Sequence, residues 1–136
     1  MTKDFRILST AAAGRSAFPT SQGAVVGSLV FTSGHGPLTP GGSRSEQASF
    51  ADQVRRTMHN IQAVLKDAGT SLENCVKVEV ILRRAEDFGE FNEIYRTFFE
   101  PPYPPRMTFV AGLVRPDIDI EMSAIAVIPG KAREDQ

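Results

Sequence analysis

The chain of 136 residues has one cysteine, no tryptophan and almost no net charge. Since Cys75 has no second cysteine to pair with, no internal disulfide is possible. The 15 Lys and Arg balance 16 Asp and Glu, so the chain lacks the overall basic field that drives binding to nucleic-acid backbones. The first ten residues contain no apolar signal segment, and no apolar run approaches the length of a membrane span. These absences predict a cytoplasmic protein that does not bind membranes, and they disfavour nucleic acid as a partner without excluding a local basic patch.

Metal-binding motifs are missing as well. His35, His59 and Cys75 have no ligand-type spacing, and neither HExxH nor CxxC occurs. We therefore expect no metal site. The length fits one domain spanning 1–136, for which we predict a core at about 14–129 and a flexible tail at 130–136.

The spacing of apolar residues predicts two helices. From Glu46 to Ala68 apolar residues recur every three or four positions; Ser43 or Ser45 is the expected N-cap, and Gly69 ends the helix. A second helix with an aromatic stripe follows Asp87 and stops before the prolines. The stripe is expected to pack on the sheet. The polar side of the first helix is expected to face solvent and contains Gln53, Arg56, Asn60 and Asp67.

Alternating and apolar runs predict five strands around these helices. Two runs flank the hairpin signal Gly27-Ser28, a third covers Cys75 to Leu82, and two more follow the second helix. The order ββ-α-β-α-ββ is typical of an α+β domain with a largely antiparallel sheet and two helices on one face.

The last two predicted strands contain two charged residues that need an explanation. Arg106 follows a proline-rich segment that restricts its backbone, and Glu121 lies in the middle of an alternating run. Either charge alone is equally consistent with a solvated sheet face. We expect one face to carry Arg106 and Thr108 together with Glu121 and Ser123, among apolar neighbours. Such a face favours a symmetric oligomer with pockets at the subunit contacts.

Two separate segments then resemble a known family. Pro104 to Val110 (PPRMTFV) and Ile120 to Ala126 (IEMSAIA) resemble the carboxy-terminal signature of the RidA/YjgF/UK114 family of reactive-intermediate deaminases, also called L-PSP endoribonucleases. The hairpin from Gln22 to Gly34 and the helical segment from Asn60 to Gly69 resemble the same family. The resemblance implies a chorismate-mutase-like fold, a homotrimer with sites in clefts between subunits, and no cofactor.

The resemblance also implies an activity and a set of site residues. Family members hydrolyse 2-imino or enamine acids to 2-keto acids and ammonia. Arg106 matches the arginine that binds the substrate carboxylate, and Glu121 matches the residue thought to orient or activate water. Ser33, Gly34 and the strand of Thr108 match positions that line the cleft. Asn92 lies near the aromatic stripe and is a further candidate for binding.

This sequence departs from the archetypal deaminase at several positions. Thr20 stands where that subgroup has a site tyrosine, Thr108 replaces a cysteine, and His35 replaces a loop glutamine. His35 is open to two interpretations, as a general acid or base or as a structural group. The departures leave a 2-aminomuconate-type deaminase and a non-catalytic metabolite-binding or chaperone-like protein as alternatives. A ribonuclease finds little support, because no aromatic RNA-binding motif is present.

Overall fold

The computed structural model describes residues 4–40 and 48–130. The predicted helix caps Ser43 and Ser45, and residues 131–136 of the predicted tail, lie outside these ranges. The described elements run in the order β1 Arg6–Leu8, β2 Gly23–Val26, β3 Leu29–Thr32, α1 Phe50–Ala68, β4 Cys75–Leu82, α2 Phe88–Arg96, β5 Arg106–Val110 and β6 Ile120–Val127, with short 3-10 turns at Leu72–Asn74 and Ala85–Asp87.

All six strands form one sheet in the order β1-β2-β3-β6-β4-β5. The last strand of the chain therefore lies between β3 and β4. Strands β4 and β5 are parallel because α2 crosses between them, and the other pairs are antiparallel. This architecture confirms the predicted α+β fold with a largely antiparallel sheet.

Strand β1 was not predicted. Its three residues pair with β2, with Arg6 opposite Val25 and Leu8 opposite Gly23. Two of the three residues are exposed, so no alternating pattern long enough to recognise is present. Leu8 is nonetheless 1% exposed and belongs to the core.

The two helices cover one face of the sheet, as predicted. Helix α1 begins four residues later than expected, after Ser49, whose hydroxyl accepts a hydrogen bond from the backbone N–H of Asp52. Gly69 ends it in the left-handed conformation, with φ of 94°. The predicted apolar stripe is confirmed, and the core under the helices contains Val54, Met58, Ile61, Leu65, Phe91, Ile94, Tyr95, Val78, Val80, Ile120 and Met122.

The predicted solvent-facing side of α1 is partly wrong. Gln53 is 4% and Asn60 is 3% exposed, whereas Asp67 is exposed as expected. The Asn60 side chain accepts a hydrogen bond from the backbone N–H of Gly14. It also donates to two backbone carbonyls in the loop between β3 and α1. Gln53 accepts from the backbone N–H of Asp119. These polar groups are buried because they bind the backbone of loops that would otherwise have unpaired groups.

No helix among the described residues covers the second face of the sheet, and this face is rich in apolar side chains. The register places Ile7, Ala24, Phe31 and Ile125 in line across four strands on this face. Large apolar residues on it that are between 40% and 52% exposed are Ile7, Val26, Phe31, Met107 and Phe109. Exposed apolar side chains of this kind are typical of a surface that becomes covered by a partner, and the predicted interface stays a prediction.

Candidate functional site

Arg106 begins β5 and is held by α2. Its Nη2 donates to Asn92 Oδ1 at 2.8 Å. The Cζ atom lies over three aromatic rings of the same helix, 5.8 Å from Phe88, 5.3 Å from Phe91 and 4.8 Å from Tyr95. Cation–π contact favours a guanidinium over such rings. The helix therefore fixes the orientation of the cation and leaves further N–H groups to bind a carboxylate.

Two hydroxyl groups near Arg106 are buried. Burial raises the pKa of Tyr95 to about 12, so this phenol stays protonated at neutral pH. Neither Tyr95 Oη nor Thr108 Oγ1 has a hydrogen-bond partner among the described residues. Thr108 stands two residues after Arg106 and points to the same side of the sheet.

Glu121 lies on the opposite face of the sheet, beside the backbone of Gly34. A Cβ atom added to Gly34 would lie 2.7 Å from Glu121 Oε2 and 3.1 Å from its Cδ. The first distance is shorter than real contacts and the second is unusually tight, so a Cβ atom at position 34 would make the carboxylate move. Gly34 has no positive φ, and its role is therefore to make room.

His35 is 7% exposed and fixes the same loop. Its Nε2 lies 3.0 Å from the carbonyl oxygen of Gln22, and the Ser33 hydroxyl donates to that oxygen at 3.2 Å. The backbone of His35 exchanges two hydrogen bonds with Met122, next to Glu121. Burial lowers the pKa of His35, so the neutral ring donating from Nε2 is favoured. These contacts favour the structural interpretation of His35 over acid–base catalysis.

Two adjoining cavities bring five of the predicted site residues together. The smaller, of about 240 Å³, is lined in part by Ser33 and His35, and the larger, of about 490 Å³, reaches Glu121. Thr20 and Gly34 line both. We call this group, together with the loops that carry it, the Glu121 half-site. A separate depression of about 270 Å³ is lined by Arg106, Asn92 and Tyr95, and we call it the Arg106 half-site.

The prediction that Arg106 and Thr108 share a sheet face with Glu121 is wrong. Arg106 is in register with Val78, which is 2% exposed under the helices. Glu121 is in register with Ile81, an odd number of residues further along β4, and therefore points the other way. The error arises because alternation shows which residues of a strand share a face, but not which face of the sheet this is. The parallel pairing of β5 with β4 decides the face.

Sequence reasoning missed two residues that shape the Glu121 half-site. The Gln22 side chain binds the backbone of Thr10 and Gly14. The Asn60 side chain binds the backbone of Gly14 and of the loop after His35. The signal for Asn60 was its helical spacing from Gln53 and Thr57, all three of which are buried.

Within 4–40 and 48–130, no group of three or more His, Cys, Asp or Glu could hold a metal ion. In the same ranges, no helix is both long and apolar enough to cross a bilayer.

Comparison with known proteins identifies the family. A family model described as Endoribonuclease L-PSP matches residues 10–128. A RutC family protein of Pyrococcus abyssi is 36% identical over 108 residues, which cover 79% of this chain and 85% of that protein. The "Putative reactive intermediate deaminase TdcF" of Escherichia coli is 34% identical over 125 residues, which cover 90% of this chain and 96% of that protein.

Solved structures agree with this result. The crystal structure of E. coli TdcF with bound serine has a TM-score of 0.83 and 34% identity, covering 90% of this chain and 98% of that one. The YjgF gene product of E. coli also has a TM-score of 0.83, at 30% identity and the same coverage. The chain therefore belongs to the RidA/YjgF family, whose model is named Endoribonuclease L-PSP.

Proposed function

We propose that copies of this chain form a cytoplasmic homotrimer that hydrolyses 2-imino or enamine acids to 2-keto acids and ammonia. Each site lies in a cleft between two copies, where the Arg106 half-site of one faces the Glu121 half-site of the other. The reaction needs no cofactor.

The placement of Arg106 and Glu121 on opposite faces of the sheet carries this proposal. Strand β4 separates β5 from β6, so one small substrate does not reach both groups within one chain. A second copy can supply the missing group if the apolar face of the sheet becomes an interface. Exposed apolar side chains on that face, Phe31 and Phe109 among them, favour burial between symmetric copies.

The relatives support a substrate with a carboxylate. One is named as a reactive-intermediate deaminase, and the crystal structure of TdcF contains serine, an amino acid. The guanidinium of Arg106 is a planar donor whose remaining N–H groups match the two oxygens of a carboxylate. Its aromatic contacts and the hydrogen bond to Asn92 orient it before a ligand arrives.

The chemistry then needs one water and one group that moves protons. The Glu121 carboxylate accepts a proton as water attacks C2 of the protonated imine, and a neutral tetrahedral carbinolamine forms. The Glu121 carboxyl group then gives this proton to the amino nitrogen, which allows the C–N bond to break. As ammonia leaves, the carbinol hydroxyl passes its proton through the Glu121 carboxylate to the ammonia, so that the keto acid and ammonium are released and Glu121 returns to its starting state.

Complementation between two inactive variants tests the shared site. We expect Arg106→Ala to lower kcat/KM by about a thousandfold, because the charged hydrogen bonds to the carboxylate are lost. We expect Glu121→Gln to lower kcat by at least about a hundredfold. Assemblies refolded from an equal mixture should recover about a quarter of wild-type activity, because each site draws the two residues from independent copies.

The controls separate assembly from chemistry. Each variant refolded alone should have the molecular mass of the wild-type assembly in light scattering and should remain inactive. Arg55→Ala, which removes an exposed guanidinium of α1, should keep wild-type activity. Wild-type protein that does not speed imine decay over buffer would contradict the deaminase, and mixed assemblies without recovered activity would contradict the shared site.

A further inference from the structure

The larger cavity of the Glu121 half-site is lined by two charged residues, Glu121 and Arg115, and otherwise has mainly apolar walls. Glu121 lies at its boundary beside Gly34. The apolar residues that line it are Ala17, Phe18, Pro37, Leu38, Val114 and Ile118. Such walls favour an apolar group bound next to the reacting atoms.

The second charged residue of this cavity is already engaged. Arg115 forms a two-pronged ion pair with Asp117, with Nε 3.1 Å from Oδ1 and Nη2 2.8 Å from Oδ2. The backbone carbonyl of Arg115 also accepts from Arg83 Nη2. Because Asp117 already neutralises this guanidinium, a second carboxylate on the substrate would also meet the negative charge of Asp117.

One wall of the cavity is closely packed, and another is exposed to solvent. Ile118 is 4% exposed, and a Cβ added to Gly36 would lie 3.3 Å from Ile118 Cδ1, so the inner wall is closely packed. Phe18 and Val114 are 63% and 96% exposed, and a bound apolar group would remove part of both from water. The volume of about 490 Å³ lies in the range of small-molecule pockets. It far exceeds the space that the methyl group of an alanine-derived imine fills.

We infer that this cavity binds the side chain of the substrate and that the protein prefers 2-imino acids with branched or aromatic apolar side chains. This inference rests on the function proposed above and specifies its substrate class. The carboxylate of such a substrate binds Arg106, C2 lies near Glu121, and the side chain extends toward Phe18 and Ile118. An imine with a very small side chain leaves the apolar walls in contact with water. An imine with an acidic side chain places a charge against those walls.

Substrate competition on the intact wild-type protein tests the preference. The imines of leucine, alanine and aspartate are generated in situ by enzymatic oxidation of the amino acids, and keto acid formation is measured above the buffer rate. We expect kcat/KM for the leucine imine to exceed that for the alanine imine by at least about tenfold, because more apolar surface is buried in the transition state. The aspartate imine should be the poorest of the three.

Two variants at one position assign the preference to the cavity. Phe18→Ser should lower kcat/KM for the leucine imine by about tenfold and leave the alanine imine within about twofold. Phe18→Leu, which keeps an apolar wall, should retain most of the preference. Light scattering checks that both variants have the assembly size of the wild type.

The outcomes distinguish this inference from the proposed function. If wild-type protein hydrolyses the alanine imine as well as the leucine imine, or if Phe18→Ser slows both equally, the cavity does not bind the side chain and the inference is overturned while the deaminase stands. If a second copy of the chain fills the cavity, the alanine imine will be preferred. That result also overturns the inference and leaves the deaminase standing. If none of the three imines decays faster than in buffer, both proposals are overturned.

Discussion

The two half-sites hold their charged groups in different ways. Arg106 is oriented by one helix, since its hydrogen-bond partner and all three rings beneath it belong to α2. Glu121 projects from β6 against the loop that contains Gly34. The His35 ring ties this loop to the backbone carbonyl of Gln22, and the Asn60 side chain binds its backbone further along. The Gln22 side chain holds the neighbouring loop, at Thr10 and Gly14.

This difference shows where the site is sensitive. Four contacts from a packed helix make the Arg106 half-site tolerant of changes elsewhere in the chain. The Glu121 half-site depends on empty space at Gly34 and on a few buried hydrogen bonds, so small changes in its loops should move the carboxylate. Misplacement by about 1 Å costs on the order of a hundredfold in rate.

Among changes that keep both charged residues, the largest expected effect comes from filling the space at Gly34. Gly34→Ala should lower kcat by about a hundredfold, because the new methyl group displaces the Glu121 carboxylate. Binding of a 2-keto acid, measured by calorimetry, should change little because Arg106 is untouched. Gly89→Ala adds a methyl group where nothing lies within 4 Å and serves as the control. A Gly34→Ala protein with wild-type kcat would show that both half-sites are equally tolerant.

The second prediction concerns the support of the loops. Asn60→Ala should lower the free energy of unfolding by about 3 kcal/mol, since three backbone partners lose their hydrogen bond to the buried amide. Asp67→Ala, on the exposed side of the same helix, should change it by less than about 0.5 kcal/mol. Urea unfolding measures both, and equal values would contradict the assignment of Asn60 as an anchor.

The smallest effect should be a pH dependence that His35 adds to the Glu121 half-site. Its folded-state pKa lies below the unfolded value of 6.5, so its contribution to stability is fully present above pH 6.5. That contribution is lost as the pH falls from 6.5 toward the folded-state pKa, because the unfolded chain then binds a proton that the folded chain does not. The loss amounts to at most about 1.4 kcal/mol per pH unit.

His35→Gln keeps a donor toward the Gln22 carbonyl and removes the titration. The variant should flatten the slope of unfolding free energy between pH 6.5 and 5, as measured by urea unfolding at each pH. His59→Gln is the control for losing a histidine, because His59 lies on the exposed side of α1. An unchanged slope in His35→Gln would show that the loop does not depend on the neutral ring.

The sequence predicts individual helices and strands better than it predicts which side of the sheet the residues of each strand face. The stripes of α1 and α2 and the alternation of β6 are local patterns, and all three appear as predicted. The face on which Arg106 lies depends on the register between β5 and β4, which involves residues far apart in the chain. For the same reason the polar stripe containing Asn60 was interpreted as solvated, since its backbone partners lie 22 to 46 residues away.

The central position of β6 has a consequence for how the protein is made. During synthesis β1 to β5 leave the ribosome before the strand that joins their two groups, β1-β2-β3 and β4-β5, into one sheet. Until Ile120–Val127 has emerged, the edges of β3 and β4 are unpaired and the nascent chain is prone to aggregation. Glu121 arrives with this strand, so a chain that lacks the strand lacks both a complete sheet and the residue proposed to activate water.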